Sequence, residues 1–271
     1  MTKESAKQAL YDFFKANHCQ PVVFKNDRVT IRDIIPAHAN KLQSSRFIAL
    51  DDTLLYANLL ANFVKQDTDN RIRKLIDLGA GSSLPTIKIN LELDKPRKLR
   101  VVCVDSDKDA IETSYKNTKA CDLSSHCEFV HNDMLLYLKG LTIREGDVVV
   151  SNPPYLPVHD NVDKNLFAPV NGGKNGTACI VPVLTQSFPK GTRLVLRWCS
   201  LSNPKKIIKL INENYKVLHL EAFIEGFGFY TSQGCMKDYL KGLLDDAMVY
   251  YSVEGNNQRK LISIGCVLEK S

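Results

Sequence analysis

RKLIDLGAGSS, residues 73–83, is an apolar run that ends in two glycines one residue apart, Gly79 and Gly81, before a helical pattern opens near Leu84. The run reads as a buried β-strand, and the glycines as a turn where the backbone must bend sharply or let a ligand approach closely. A lone G-x-G suits any tight strand-to-helix turn equally well, so its meaning depends on the chain beyond it. There, helices and strands alternate. Residues 84–93 carry a helical run, 98–107 a second strand, 108–119 a second helix, 127–134 a third strand, 135–140 a short helix and 146–152 the strand GDVVVSN. Uninterrupted apolar strands separated by helices imply parallel pairing, because each crossover must return over one face of the sheet. The expected fold is a doubly wound α/β domain around a mostly parallel seven-stranded sheet.

Further along the chain, the strand 192–199 and the helix 203–215 continue the pattern, and 216–224 and 259–269 read as the last two strands. Between them an insertion at about 224–256 carries a helix near 236–247. Before the glycine turn, residues 51–64 place Leu54, Ala57, Leu60, Ala61 and Val64 on one helical stripe, with Asp51 and Asp52 read as acidic caps. Residues 1–50 then form an extension: a helix burying Ala6, Leu10, Phe13 and Phe14, and a hairpin over 22–31 turning at Asn26 and Asp27. The main domain spans 51–271.

Composition is that of a folded chain: of 271 residues 44% are hydrophobic and 24% charged, values that exclude disorder and collagen. No apolar run approaches the ~18 residues of a membrane span. A net charge of +6 permits a polyanionic partner without requiring one. The opening segment reads as an amphipathic helix rather than a targeting leader, which places the chain in the cytoplasm. Eight cysteines without a C-x-x-C pair read as reduced, packed thiols. Cys121, His126, Cys127 and His131 are zinc-competent, but paired ligand spacing is missing and a strand through 127–131 sends alternate side chains to opposite faces, so no metal is expected.

Chemistry-bearing residues recur at the carboxyl ends of successive strands. Asp105 follows the second strand, where a carboxylate accepts hydrogen bonds from both hydroxyls of a ribose, and Asp133 follows the third. No G-x-x-x-x-G-K-[ST] is present and the turn lacks a third glycine, which favours a cofactor without phosphate over a dinucleotide. After the strand 146–152 come Asn152, Pro153, Pro154 and Tyr155. Two prolines fix their own φ and keep Asn152 out of helical geometry, giving a rigid loop suited to positioning.

This order of motifs resembles the class I S-adenosylmethionine-dependent methyltransferases, over most of residues 45–222. The resemblance implies that Asp77, Gly79 and Gly81 line the methionine and ribose of S-adenosylmethionine, that Asp105 holds the ribose hydroxyls and that Asp133 contacts adenine; Ser83 stands where the family has a third glycine. The NPPY tetrapeptide suits a planar amide or amine nitrogen, a poor nucleophile because its lone pair is delocalised. The Asn152 side-chain oxygen and the Pro153 carbonyl each accept one N–H, Tyr155 stacks on the plane, and both acceptors bind better as the nitrogen becomes positive. No general base is needed before attack.

Two further segments resemble the HemK-like protein-glutamine methyltransferases. Their P-x-[ED]-T stretch matches IALDDTLLYANLL, 48–60, without the proline, and their GG-x-[DN]-G segment matches Gly172, Gly173, Asn175 and Gly176. The resemblance implies methylation of a glutamine amide in a protein such as a translation release factor. The alternative is the exocyclic amine of adenine in RNA or DNA, with basic runs at 95–100 and 203–209 and aromatics Phe227, Phe229, Tyr230, Tyr250 and Tyr251 in the insertion; those aromatics serve equally as core. A small-molecule acceptor and an inactive cofactor-binding partner subunit are lesser alternatives. The extension is shorter than the helical docking domain of typical bacterial members.

Overall fold

The computed structural model describes residues 5–25, 28–44, 49–93, 98–245, 252–254 and 258–271. Nine strands are seen among them: β1 (Val22–Val23), β2 (Lys74–Leu78), β3 (Arg100–Asp105), β4 (Cys127–His131), β5 (Asp147–Ser151), β6 (Arg193–Cys199), β7 (Tyr215–Gly226), β8 (Ser252–Glu254) and β9 (Gln258–Lys270). They form one sheet in the order β1-β7-β9-β6-β5-β2-β3-β4, with β8 on β9. The expected α/β fold is present, with two short strands, β1 and β8, beyond the expected seven. Pairing from β6 to β4 is parallel throughout, while β9 runs antiparallel between β6 and β7.

The two-residue period of the strands divides the core. Ile76, Leu78, Val102, Val104, Val149, Leu194, Leu196 and Ile264 face one side of the sheet, against Leu10, Phe13, Ile180, Ile207 and Ile211. Leu75, Val101, Cys103, Val148, Val150, Val195 and Val267 face the other, against Leu59, Leu60, Phe63 and Ile89. Each large apolar side chain so covered contributes about 1.5–3 kcal/mol. The expected N-terminal helix is Ala6–Ala16, capped by the Ser5 side chain, and lays Phe13 against Trp198 at 6.5 Å.

The expected hairpin does not form. Val22 and Val23 pair in parallel with Phe223 and Ile224 at the sheet edge, residues 28–30 of the expected second arm take no regular structure, and a helix, Ile31–Ile34, follows, started by a Thr30–Asp33 capping box. Alternating apolar residues in so short a run do not separate strand from helix, and the capping box decides. The turn at Asn26 and Asp27 lies outside the described residues. The helix Leu50–Lys65 differs too: its N-cap is Ala49, with no side-chain bond, so Asp51 and Asp52 sit inside the first turn rather than capping it. It is buried on nearly every side, between the sheet and a cluster of Ile34, Ile35, Leu84 and Leu123.

Chain order reverses between β2 and β5, the neighbours from which the sheet is wound outward in both directions. In open α/β sheets a crevice opens at the carboxyl ends of strands at such a switch point.

Candidate active site

A cavity of about 500 Å³ lies at that point, within the range of small-molecule sites. Gly79, Gly81, Asp105, Asn152, Pro153, Pro154 and Tyr155, from the ends of β2, β3 and β5, all line it. So do Asp51, Asp52 and Tyr56 of the helix Leu50–Lys65, Arg28 of the extension, and Glu225, Phe229 and Tyr230 of β7 and the insertion. Residues scattered over two hundred positions thus meet.

Gly79 and Gly81 have φ of +80° and +53°, and Ser83 follows in the left-handed region at +55°. The serine therefore takes the conformation a glycine would supply. Its buried hydroxyl, 2.5 Å from the Ser114 hydroxyl and 3.3 Å from the Cys103 Sγ, holds it there. Asp105 braces the turn: Oδ2 accepts the Gly81 N–H at 2.9 Å and Oδ1 that of Asp107 at 2.9 Å. Each carboxylate oxygen keeps a lone pair for a further donor. Burial raises the Asp105 pKa, and those two amides work against it.

Asp77 and Asp133 are not among the described lining residues. Asp77 is buried beneath the turn, and burial first, then Cys103 and Asp105, push its pKa well up, with the Tyr56 hydroxyl against it pulling the other way. Tyr56 is also buried, with its hydroxyl facing the Asp77 carboxyl. Asp133 spends Oδ1 on the Leu135 and Leu136 N–H groups, capping the helix Met134–Lys139, and Met134 faces the cavity in its place.

The Asn152 amide is oriented from below. Its Nδ2 donates to Asp52 Oδ2 at 2.6 Å, and the other Asp52 oxygen accepts from Arg197 Nε at 3.1 Å and Nη2 at 3.0 Å. An ionised carboxylate only accepts, so it holds the amide by its NH2 end. Asn152 Oδ1 is left buried and without a partner. Sequence reasoning missed this chain of contacts; the signal was there in Arg197, a cation set in the apolar strand RLVLRWC, residues 193–199. Arg197 is fully buried, and Glu221 lies 3.7 Å from its Nη1.

The NPPY loop is locked from behind by the glycine segment. Leu156 bridges to Asn171, the Gly172 N–H donates to the Leu156 carbonyl at 2.9 Å, and Ser202 Oγ donates to the Tyr155 carbonyl at 2.6 Å. A Cβ at Gly172 would lie 2.9 Å from the Tyr155 carbonyl carbon, and one at Gly176, where φ is +67°, would overlap the Tyr155 carbonyl oxygen. Gly176→Ala is expected to displace Tyr155 and lower turnover by about tenfold or more, a misplacement cost; wild-type turnover would show that the loop does not depend on this support.

In the insertion Tyr230 meets Phe167 ring to ring at 5.6 Å, Phe227 packs partly against the same cluster, and Phe229 stays 48% exposed at the cavity. Tyr250 and Tyr251 lie outside the described residues. Of the zinc-competent residues, Cys121 is buried at the end of a helix and His131 contacts the Ser106 carbonyl oxygen at 3.1 Å. No helix among the described residues is long and apolar enough to cross a membrane.

Strand order and glycine turn together define the class, a doubly wound α/β domain with a crevice at its switch point. Residues 55–170 match the family model of the methyltransferase small domain. The likeness to HemK-like proteins is borne out by curated relatives. A release factor glutamine methyltransferase of Borreliella burgdorferi is 27% identical over 171 residues, 58% of this chain and 57% of that protein. The Bacillus cereus protein of the same name is 39% identical over 84 residues, 31% of this chain and 28% of that one. The chain thus spans about half or less of the length of these relatives. Among solved structures, a tRNA m1G37 methyltransferase of Methanocaldococcus jannaschii superposes with a TM-score of 0.44 at 13% identity, over 78% of this chain and 48% of that one.

Proposed function

We propose that the protein is an S-adenosylmethionine-dependent N-methyltransferase whose acceptor is the side-chain amide of a glutamine in a protein, such as a translation release factor. The observation that carries this reading is the Asn152 amide, clamped through Nδ2 so that its unpartnered Oδ1 is left for an N–H donor. S-adenosylmethionine, when bound, supplies an electrophilic methyl on a sulfonium. The residues present fit it. Gly79 and Gly81 let its chain approach the backbone, and Asp105 retains lone pairs for ribose hydroxyls. Asp133, which caps the helix Met134–Lys139 through Oδ1 and is not among the described lining residues, has its other carboxyl oxygen left for the adenine contact that the resemblance implies.

Asn152 Oδ1 and the Pro153 carbonyl fix the two N–H bonds of the acceptor, turning its lone pair toward the methyl. As the nitrogen becomes positive both contacts strengthen, which lowers the barrier without a base. Charge favours protein over nucleic acid as the acceptor. Four carboxylates, Asp51, Asp52, Asp105 and Asp107, line the cavity against one cation, Arg28, among the described residues, a poor setting for phosphates. Phe229 supports the second reading, an adenine amine, because an exposed ring at a cavity mouth stacks a base.

The test is transfer of labelled methyl from S-adenosylmethionine into a cell extract, followed by protease or nuclease. Protease-sensitive label is the expected result; nuclease-sensitive label would install the adenine reading. Asp105→Ala is expected to weaken S-adenosylmethionine binding by about tenfold or more, measured by calorimetry, since it removes both a ribose contact and the brace on Gly81. Unchanged affinity would remove Asp105 from that role.

A further inference from the structure

Around the cavity, buried polar atoms without partners mark where a ligand completes the hydrogen bonding, because native structures leave few such atoms unsatisfied. One belongs to Glu225 Oε1, which neither the glycine turn nor the NPPY loop accounts for. Glu225 lies at the end of β7, separated in the sheet from the cofactor turn's strand, β2, by β9, β6 and β5, and lines the cavity.

We propose that Glu225 is a specificity-determining residue of the acceptor subsite, donating a hydrogen bond to the carbonyl oxygen of the glutamine amide whose nitrogen Asn152 holds. This rests on the glutamine reading above. A primary amide offers two donors and one acceptor; the NPPY loop serves the donors, and the carbonyl oxygen needs a donor of its own. Glu225 supplies one only as the neutral acid, and burial, with its one nearby cation already engaged elsewhere, favours that form. Arg197 of β6 is the single buried cation of the cluster, and Asp52 of the helix Leu50–Lys65 already neutralises it at 3.0 Å. Glu221 on β7 competes for what remains at 3.7 Å, Asp51 adds a further carboxylate nearby, and Ser263 of β9, whose oxygen accepts from Arg197, gives its hydroxyl to the Glu225 carboxyl, a contact that works against the rise without cancelling it. Burial pushes the Glu225 carboxyl up to about 8, with Arg197 pulling the other way and Asp52 and Asp51 adding to the rise. Below that pH the proton is present and the contact is made; above it the carboxylate faces the amide oxygen and repels it.

The test measures initial rates of labelled methyl transfer into the protein of a cell extract, at saturating S-adenosylmethionine and limiting acceptor, from pH 6 to 10. In the wild type the rate should fall about tenfold per pH unit above about 8. Glu225→Gln keeps a donor and cannot ionise, so it should stay within about threefold of wild type at pH 7 and lose the alkaline fall. Glu225→Ala should lose about tenfold or more at pH 7, the scale of one hydrogen bond, with S-adenosylmethionine affinity by calorimetry unchanged in both variants. Wild-type rates in E225A, or an alkaline fall that persists in E225Q, would overturn the Glu225 contact alone. If E225A does not fold, the E225Q profile decides. Label removed by nuclease, or no label at all, would overturn the glutamine reading and the amide contact with it.

Discussion

Replacing Asn152 with alanine is expected to lower methyl transfer by about a hundredfold or more while leaving S-adenosylmethionine affinity nearly intact. The scale is that of losing one preorganised transition-state contact. The separation of effects comes from the geometry: Oδ1 is buried and unpartnered, and its loss leaves the bond from the Gly81 N–H to Asp105 untouched. Turnover measured with saturating cofactor, beside calorimetric binding, checks both halves. Transfer that survives the substitution would move the reacting nitrogen away from the NPPY loop.

The second large effect is on stability. Arg197→Met leaves Asp52 buried without its cation, and removing one partner of a buried pair costs about 3–5 kcal/mol. That is a sizeable part of the roughly 5–15 kcal/mol by which a domain is stable. Urea unfolding should show a clearly lower midpoint at an unchanged slope. Turnover of the folded fraction should fall as well, because Asp52, without the guanidinium that fixes it, no longer holds the Asn152 amide with its oxygen presented. An unaltered midpoint would contradict the place given to this pair in holding the site.

The parts of the fold that depend on local pattern were legible in the sequence. The apolar strands before Gly79, Asp105 and Asn152 and the helices between them are where the periodicity put them, because burial on both faces leaves nearly continuous apolar runs. The Val22–Val23 segment was not legible, since its partner, β7, lies two hundred residues away and pairing of that kind leaves no local mark. The same distance hid the site's support. Asp52 reads as a helix cap until the fold brings Arg197 beside it, and Glu225 reads as one acid among many until β7 ends at the cavity. The GG-x-N-G match, by contrast, gained a physical reason only with the structure: a side chain at Gly172 or Gly176 would collide with the backbone of Tyr155.

The most direct measurement of the central claim is chemical. Protein labelled from methyl-tritiated S-adenosylmethionine is isolated and hydrolysed in acid, which splits an N-methylated glutamine amide into glutamate and volatile methylamine. The account predicts tritium in the methylamine with wild-type protein and about a hundredth as much with Asn152→Ala. Tritium retained on an adenine base, or methylamine released equally by the Asn152→Ala protein, would contradict it.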